Sequence, residues 1–265
     1  MSDTGVAEAI NEAVADPIPS MQRPLSNQIE LIRGLQETVD GVATWHTVAT
    51  TKELTGADEE YLASIENEDG LTYTEYMNAI LQRAVVKIGD LVVADIPGIV
   101  NRLILPDRDM LFLGVLRSTY GTEREIRAMC EACGSMNDIV INLDEDFPIK
   151  RPAFDVKQPI EVRVGDAVYK LRLPNGEDTI EAQKVSKTDA QLNTVMLSRC
   201  SVFGEIRPQD TLEWARNLNV NTRRKLVNTL LDLDLGPALE GVDTHCAECG
   251  KPMPILLDWV SLLLS

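Results

Sequence analysis

An α+β fold in two parts is predicted for this chain by three features of its sequence. Apolar residues recur every three to four positions between residues 72 and 120, and every second position between 139 and 173. Two Cys-x-x-Cys-Gly turns stand at 130–134 and 246–250. The first feature implies a helical N-terminal part, residues 26–121. The other two imply a β unit, residues 122–265, that carries a long inserted hairpin-and-helix segment at 134–245. Residues 1–25 are polar and acidic with little apolar periodicity, and they read as an arm that orders against a partner.

Within the N-terminal part, alternation around Ala43–Ala49 leads to Thr55 and Gly56, either of which can open a short helix. Asp58, Glu59 and Glu60 in its first turn complement the helix dipole. From Thr72 to Lys87 the apolar face comprises Tyr73, Tyr76, Met77, Ile80, Leu81 and Ala84. Asp107, after Pro106, can cap a second helix with Met110, Leu111, Leu113, Leu116 and Tyr120 on its apolar face and Gly121 at its end. These two helices are expected to pack together.

Ile139, Ile141 and Leu143 then mark a strand. A hairpin follows, with Ile160, Val162 and Val164 before a Gly165-Asp166 turn and Ala167, Tyr169, Leu171 and Leu173 after it. Pro174-Asn175-Gly176 closes the hairpin, and Thr179–Cys200 is helical with Leu192, Val195, Met196 and Cys200 on one side. Another helix starts near Asp210. Asn221 can cap a last one in which Leu226, Val227, Leu230 and Leu231 face inward, stopped by Gly236-Pro237. The closing PILLDWVSLLL is expected as a strand or short buried segment returning to the β unit. It is too short, and too interrupted by Asp258 and Ser261, for a transmembrane span of about 18 or more apolar residues.

The four cysteines Cys130, Cys133, Cys246 and Cys249 carry the clearest chemistry. A Cys-x-x-Cys turn presents two thiolates from one knuckle, and two such turns complete the tetrahedron that zinc prefers. The glycine after each pair, Gly134 and Gly250, lets the backbone fold back so that amides can point at the sulfurs. Between the knuckles lie 112 residues, against the roughly 12 to 20 of compact fingers. The insertion must therefore fold as a unit, and a zinc-ribbon-like arrangement with structural Zn2+ ties its ends. Two unrelated pairs of buried thiols, or a redox dithiol, are the alternatives; neither pair sits in the βαβ pattern of a thioredoxin-like site. His245 is expected beside the site, and Cys200 as a plain buried thiol.

Catalytic patterns are missing. The two histidines, His46 and His245, lie in no motif that assigns a base or a metal role, and no glycine-rich phosphate loop follows a strand. Asp58-Glu59-Glu60 and Asp144-Glu145-Asp146 read as solvated acidic faces, and Arg223-Arg224-Lys225 as a solvated helix face. A net charge of −17 repels phosphate backbones and anionic lipid, so nucleic acid and membranes are poor partners. The acidic opening Met1–Ser20 has no basic start followed by an apolar stretch, so a cytoplasmic protein is expected.

The order of several short motifs resembles a known family. VLRSTYG at Val115–Gly121 precedes a CxxCG knuckle and strand; LRLPNGED at Leu171–Asp178, an LSRC stretch and CAECGK follow. Together they resemble the baseplate proteins of contractile-tailed bacteriophages related to the T4 hub component and its assembly chaperones, over roughly residues 70–264. TKELTGADEE at Thr51–Glu60 also resembles a phrase of small phage tail-assembly proteins, whereas the terminal WVSLLLS departs from the phenylalanine-rich end expected of the family. The resemblance implies a non-enzymatic assembly or structural protein of the tail baseplate. Its partners would be other tail proteins, with a homo-oligomer also compatible, and it would act in the host cytoplasm during assembly and in the virion if retained. A zinc-ribbon regulator that binds nucleic acid is the alternative, and it lacks the basic face such a role requires.

Overall fold

The computed structural model opens its described residues with a long antiparallel hairpin, strands β1 (Ser26–Val39) and β2 (Val42–Lys52). The structure describes residues 26–66, 71–205, 207–231, 233–239, 242–255 and 257–264. The arm expected over residues 1–25 lies outside them. The hairpin turns through Asp40 and Gly41, both in the left-handed region with φ of 53° and 78°, as a two-residue turn matched to strand twist requires. Strands β3 (Val85–Ile88) and β4 (Leu91–Val92) extend it to a four-stranded sheet in the order β1-β2-β3-β4.

This sheet corrects the expectation of a helical N-terminal part. The alternation of β1 is broken by an irregularity between Glu30 and Leu35, so its period of two does not run far enough to be recognised. Asp107 explains how the break is tolerated. Its buried carboxylate accepts the amides of Ile32, Arg33 and Gly34 at 2.5, 3.0 and 2.8 Å, which the sheet leaves without partners. Asp107 is thus not the cap of its own helix, which begins at Leu105.

The helices of this part otherwise follow the sequence. Helix α1 (Gly56–Glu66) starts as expected, and α2 (Tyr73–Ala84) opens on a Thr72–Glu75 capping box, a device contributing about 1 kcal/mol. Helix α2 ends at Ala84, earlier than the periodic pattern suggests, because the chain passes directly into β3. Helix α3 (Leu105–Tyr120) is buried on most of its circumference by Met110, Leu111, Phe112, Leu113, Val115 and Leu116. A helix apolar all round belongs at the centre of a core, and α3 lies between the sheet, α2 and the C-terminal helix α8 (Trp259–Leu264). Trp259 of α8 stacks on Phe112 with centroids 6.0 Å apart and donates its indole N–H to Asp109 at 2.8 Å. The closing segment begins, as expected, in the second cysteine hairpin with Pro254 and Ile255, but its end returns to the main core, because Trp259, Leu262 and Leu263 find their apolar partners there.

Between the two knuckles, short strands β7 (Ile149–Lys150) and β10 (Gly236–Pro237) pair with each other. They bring the ends of the intervening chain together. Inside lie the hairpin β8 (Ile160–Val164) and β9 (Ala167–Leu171), in the expected register with Val164 opposite Ala167. Helices α4 (Gly176–Val185), α5 (Asp189–Cys200), α6 (Thr211–Asn217) and α7 (Val220–Leu231) follow. Their apolar faces make a separate cluster that includes Val162, Leu171, Leu197, Cys200 and Leu226. A fully buried Asp178 holds Arg172 and Arg199 at 2.6 and 2.8 Å beside it. Helix α6 starts beside Asp210 as expected, and Asp210 caps it. The cap of α7 is Asn219, whose side chain accepts the Thr222 amide, and not Asn221; Leu231 is exposed where an inward position was expected. The helix starts two residues earlier than the sequence pattern, and Leu231 is its last residue.

Candidate metal centre

Each Cys-x-x-Cys-Gly turn is the tip of its own antiparallel hairpin. Strands β5 (Glu123–Met129) and β6 (Met136–Asn142) pair along their full length, ending at Met129 opposite Met136, and Cys130–Ser135 make the tip. Strands β11 (Val242–His245) and β12 (Pro252–Ile255) end at His245 opposite Pro252, with Cys246–Lys251 as the tip. The two tips share one backbone design. Cys130 N–H donates to Ser135 O at 2.9 Å and Gly134 N–H to Cys130 O at 2.8 Å; Cys246 N–H donates to Lys251 O and Gly250 N–H to Cys246 O, both at 2.9 Å. Gly134 and Gly250 have φ of 76° and 68°, a conformation costly for any residue with a Cβ, which is why glycine stands at both places.

The tips meet face to face and bring the four sulfurs within 4.8 Å of one another. Across the hairpins, Cys130 Sγ lies 3.8 Å from Cys249 Sγ, and Cys133 Sγ lies 3.6 Å from Cys246 Sγ. Neither distance is a disulfide. A tetrahedron with its corners about 2.3 Å from a central zinc has edges of about 3.8 Å, so the donor set and its spacing both fit such an ion. Cys130 and Cys246 are buried, Cys133 and Cys249 exposed. The inner pair anchors to a small apolar cluster with Ile139 and Met253.

Polar groups around the sulfurs favour their charged form. The amides of Ser135 and Lys251, at matching places in the two tips, point at the Cys133 and Cys249 sulfurs. The Ser135 hydroxyl sits 3.1 Å from both Cys133 Sγ and Cys246 Sγ. With the amides of Cys249 and Glu248, that hydroxyl holds the Cys246 thiol down to about 5. Cys249, although the Lys251 amide favours its thiolate, is pushed up to about 11 by desolvation and the three neighbouring sulfurs. Four thiolates this close repel one another unless a cation sits among them. Asn137 links the hairpins: its carbonyl oxygen accepts the Ala247 amide at 2.9 Å. The sequence gives no signal for Ser135 and Asn137, since the second knuckle has Lys251 and Met253 at the corresponding positions.

His245 is exposed at the end of β11, directly before Cys246, and His46 is buried in the main sheet with its Nε2 3.0 Å from Glu37 Oε2. Cys200 belongs to the core of the inserted segment, where burial pushes its thiol up to about 12. Of the acidic runs, Asp58 is engaged by Lys52 and Arg83 and Asp144 by Arg117. Among the described residues, the cysteine cluster is the one grouping of three or more His, Cys, Asp or Glu placed to hold a metal. No described helix is long and apolar enough to cross a membrane.

Two hairpins meeting sulfur to sulfur, with a helical segment inserted between them, define a ribbon-like cysteine module built into a larger α+β chain. The family model described as T4 bacteriophage base plate protein matches residues 37–261, and the chain belongs to that family. The match starts within β1, ahead of the stretch that carries the sequence motifs, and spans both knuckles. No curated protein and no solved structure matches.

Proposed function

We propose that this chain is a non-enzymatic assembly or structural protein of the phage tail baseplate, at its hub, and that Cys130, Cys133, Cys246 and Cys249 hold one structural zinc. Four sulfurs gathered within 4.8 Å by two matching turns, in a chain of the baseplate family, carry this reading. Four thiolates fill a tetrahedral ion completely, so the metal has no open position for chemistry and serves to join the hairpins. Zinc is worth about 10 kcal/mol or more to small peptides. Here the β7–β10 pairing and the shared core already hold the hairpins near each other, so a smaller effect is expected.

Family membership and an acidic, metal-stapled body suited to binding other tail proteins support a role in assembly in the infected cell. Purified chain mixed with each tail protein of the same phage should co-elute with at least one of them and turn over no small molecule. Co-elution with none of them counts against the assembly role. Cys133→Ser or Cys249→Ser should lower zinc content and melting temperature together, and loss of neither would remove the metal from the account.

A further inference from the structure

Helix α7 carries Arg223, Arg224 and Lys225 in succession, and none of its 12 residues is acidic. The chain has 42 acidic and 25 basic residues, and Arg83, Arg117, Lys184 and Arg199 on other helices each pair with a carboxylate. These three have none among the described residues. Arg223 donates to the Ala190 carbonyl, and Lys225 donates to the Arg163 carbonyl at 2.7 Å. Arg223 is half-buried by this contact, whereas Arg224 and Lys225 stand exposed to solvent. Two hollows flank Arg224 and Asn228. One, of about 510 Å³, reaches Asn221, Lys225 and Leu233; the other, of about 480 Å³, reaches Val220 and Arg223.

The ends of the same helix are apolar and open, Val220 at 70 % and Leu231 at 60 % exposure. At 1.5 Å per residue they lie roughly 16 Å apart, with the cations between them. An exposed face of this kind is complementary to a segment that presents carboxylates at its middle and apolar side chains at its ends. Nucleic acid fits it poorly. The chain's charge of −17 opposes a polyanion over any long contact, whereas a short acidic segment meets only the local cations.

We propose that the exposed face of α7, centred on Arg224, is the docking surface for a short acidic segment of another baseplate protein. The proposal rests on the assembly role above and names the surface and the chemistry through which it is exercised. Carboxylates of the partner pair with Arg224 and Lys225, and its apolar side chains cover Val220 and Leu231.

The full chain is mixed with each purified baseplate protein of the same phage. Complexes are then treated with a water-soluble carbodiimide, which joins a lysine amine to a carboxylate in contact with it. A cross-link from Lys225 to an Asp or Glu of the partner is expected, together with a Kd weakened about tenfold or more by Arg224→Glu. Asn228→Glu, on the same face, should weaken it in the same direction, and both variants should keep the parent's circular dichroism and melting temperature. If a complex forms and Arg224→Glu binds as tightly as the parent, the proposal is overturned while the assembly role stands. If no baseplate protein binds, both fall. Binding of a short DNA duplex that Arg224→Glu abolishes would assign the patch to phosphate and overturn the proposal as well.

Discussion

Replacing Asp58 by asparagine should cost about 2 kcal/mol near neutral pH and almost nothing near pH 2. The Asp58 carboxylate sits with its side chain only 4 % exposed at the junction of β2, α1 and α2. It accepts the Thr55 amide and hydroxyl at 3.0 and 2.8 Å, and Lys52 Nζ and Arg83 Nε at 3.2 and 2.7 Å. Burial alone would raise its pKa; these donors more than offset that and lower it from 3.8 to about 2. A carboxyl whose folded pKa lies below its unfolded value stabilises the fold above the unfolded value. That contribution is lost as pH falls through the folded one. The shift of nearly two units, at about 1.4 kcal/mol each, gives the magnitude. Urea unfolding of the parent and Asp58→Asn, followed by circular dichroism between pH 7 and pH 2, measures it. The difference between the two proteins is the relevant quantity, because the other carboxylates titrate in both. It should be constant above about pH 4.5 and shrink below that. A difference that stays the same down to pH 2 would refute the assigned ion pairs.

Asp109 should behave with the opposite sign. Burial pushes its carboxyl up to about 6 even though Trp259 donates to it, so ionisation removes stability as pH rises from about 4 to 6. Asp109→Asn, which keeps the acceptor for Trp259, should gain on the parent in urea midpoint between pH 4 and 7. Trp259→Ala removes a side chain that is 4 % exposed and packs on Phe112 and Phe147. It should cost about 3–5 kcal/mol in chemical denaturation. Cys200→Ser should leave zinc content unchanged, because Cys200 lies in the separate core of the inserted segment; metal analysis of the purified variant checks this.

How much of the molecule was legible in the sequence depended on whether the signal was local. The Gly165-Asp166 hairpin, the apolar face of the helix after Thr72 and the helix start near Asp210 are each written in a few adjacent residues, and the structure has them at those places. The cysteine pairs are local twice over, so their meeting could be inferred from the number of ligands a tetrahedral ion requires. Long-range satisfaction was not legible. Strand β1 was missed because its irregularity is completed by Asp107, more than 70 residues further along the chain, and the same carboxylate then looked like a helix cap. The last helix, Trp259–Leu264, departs from the expected neighbour for a related reason. Its apolar residues announce burial without naming a partner, and Phe112, Phe147 and Asp109 supply that partner only once α3 is in place. Ser135 and Asn137 matter through contacts with the opposite hairpin, which no spacing rule reveals.

The most direct test of the central claim is X-ray absorption at the zinc edge of the purified full-length chain, with metal content measured on the same sample. One zinc per chain surrounded by four sulfurs at about 2.3 Å is the predicted result. A chain that purifies without zinc, or a zinc bound by nitrogen or oxygen in place of one or more of the four sulfurs, would contradict it.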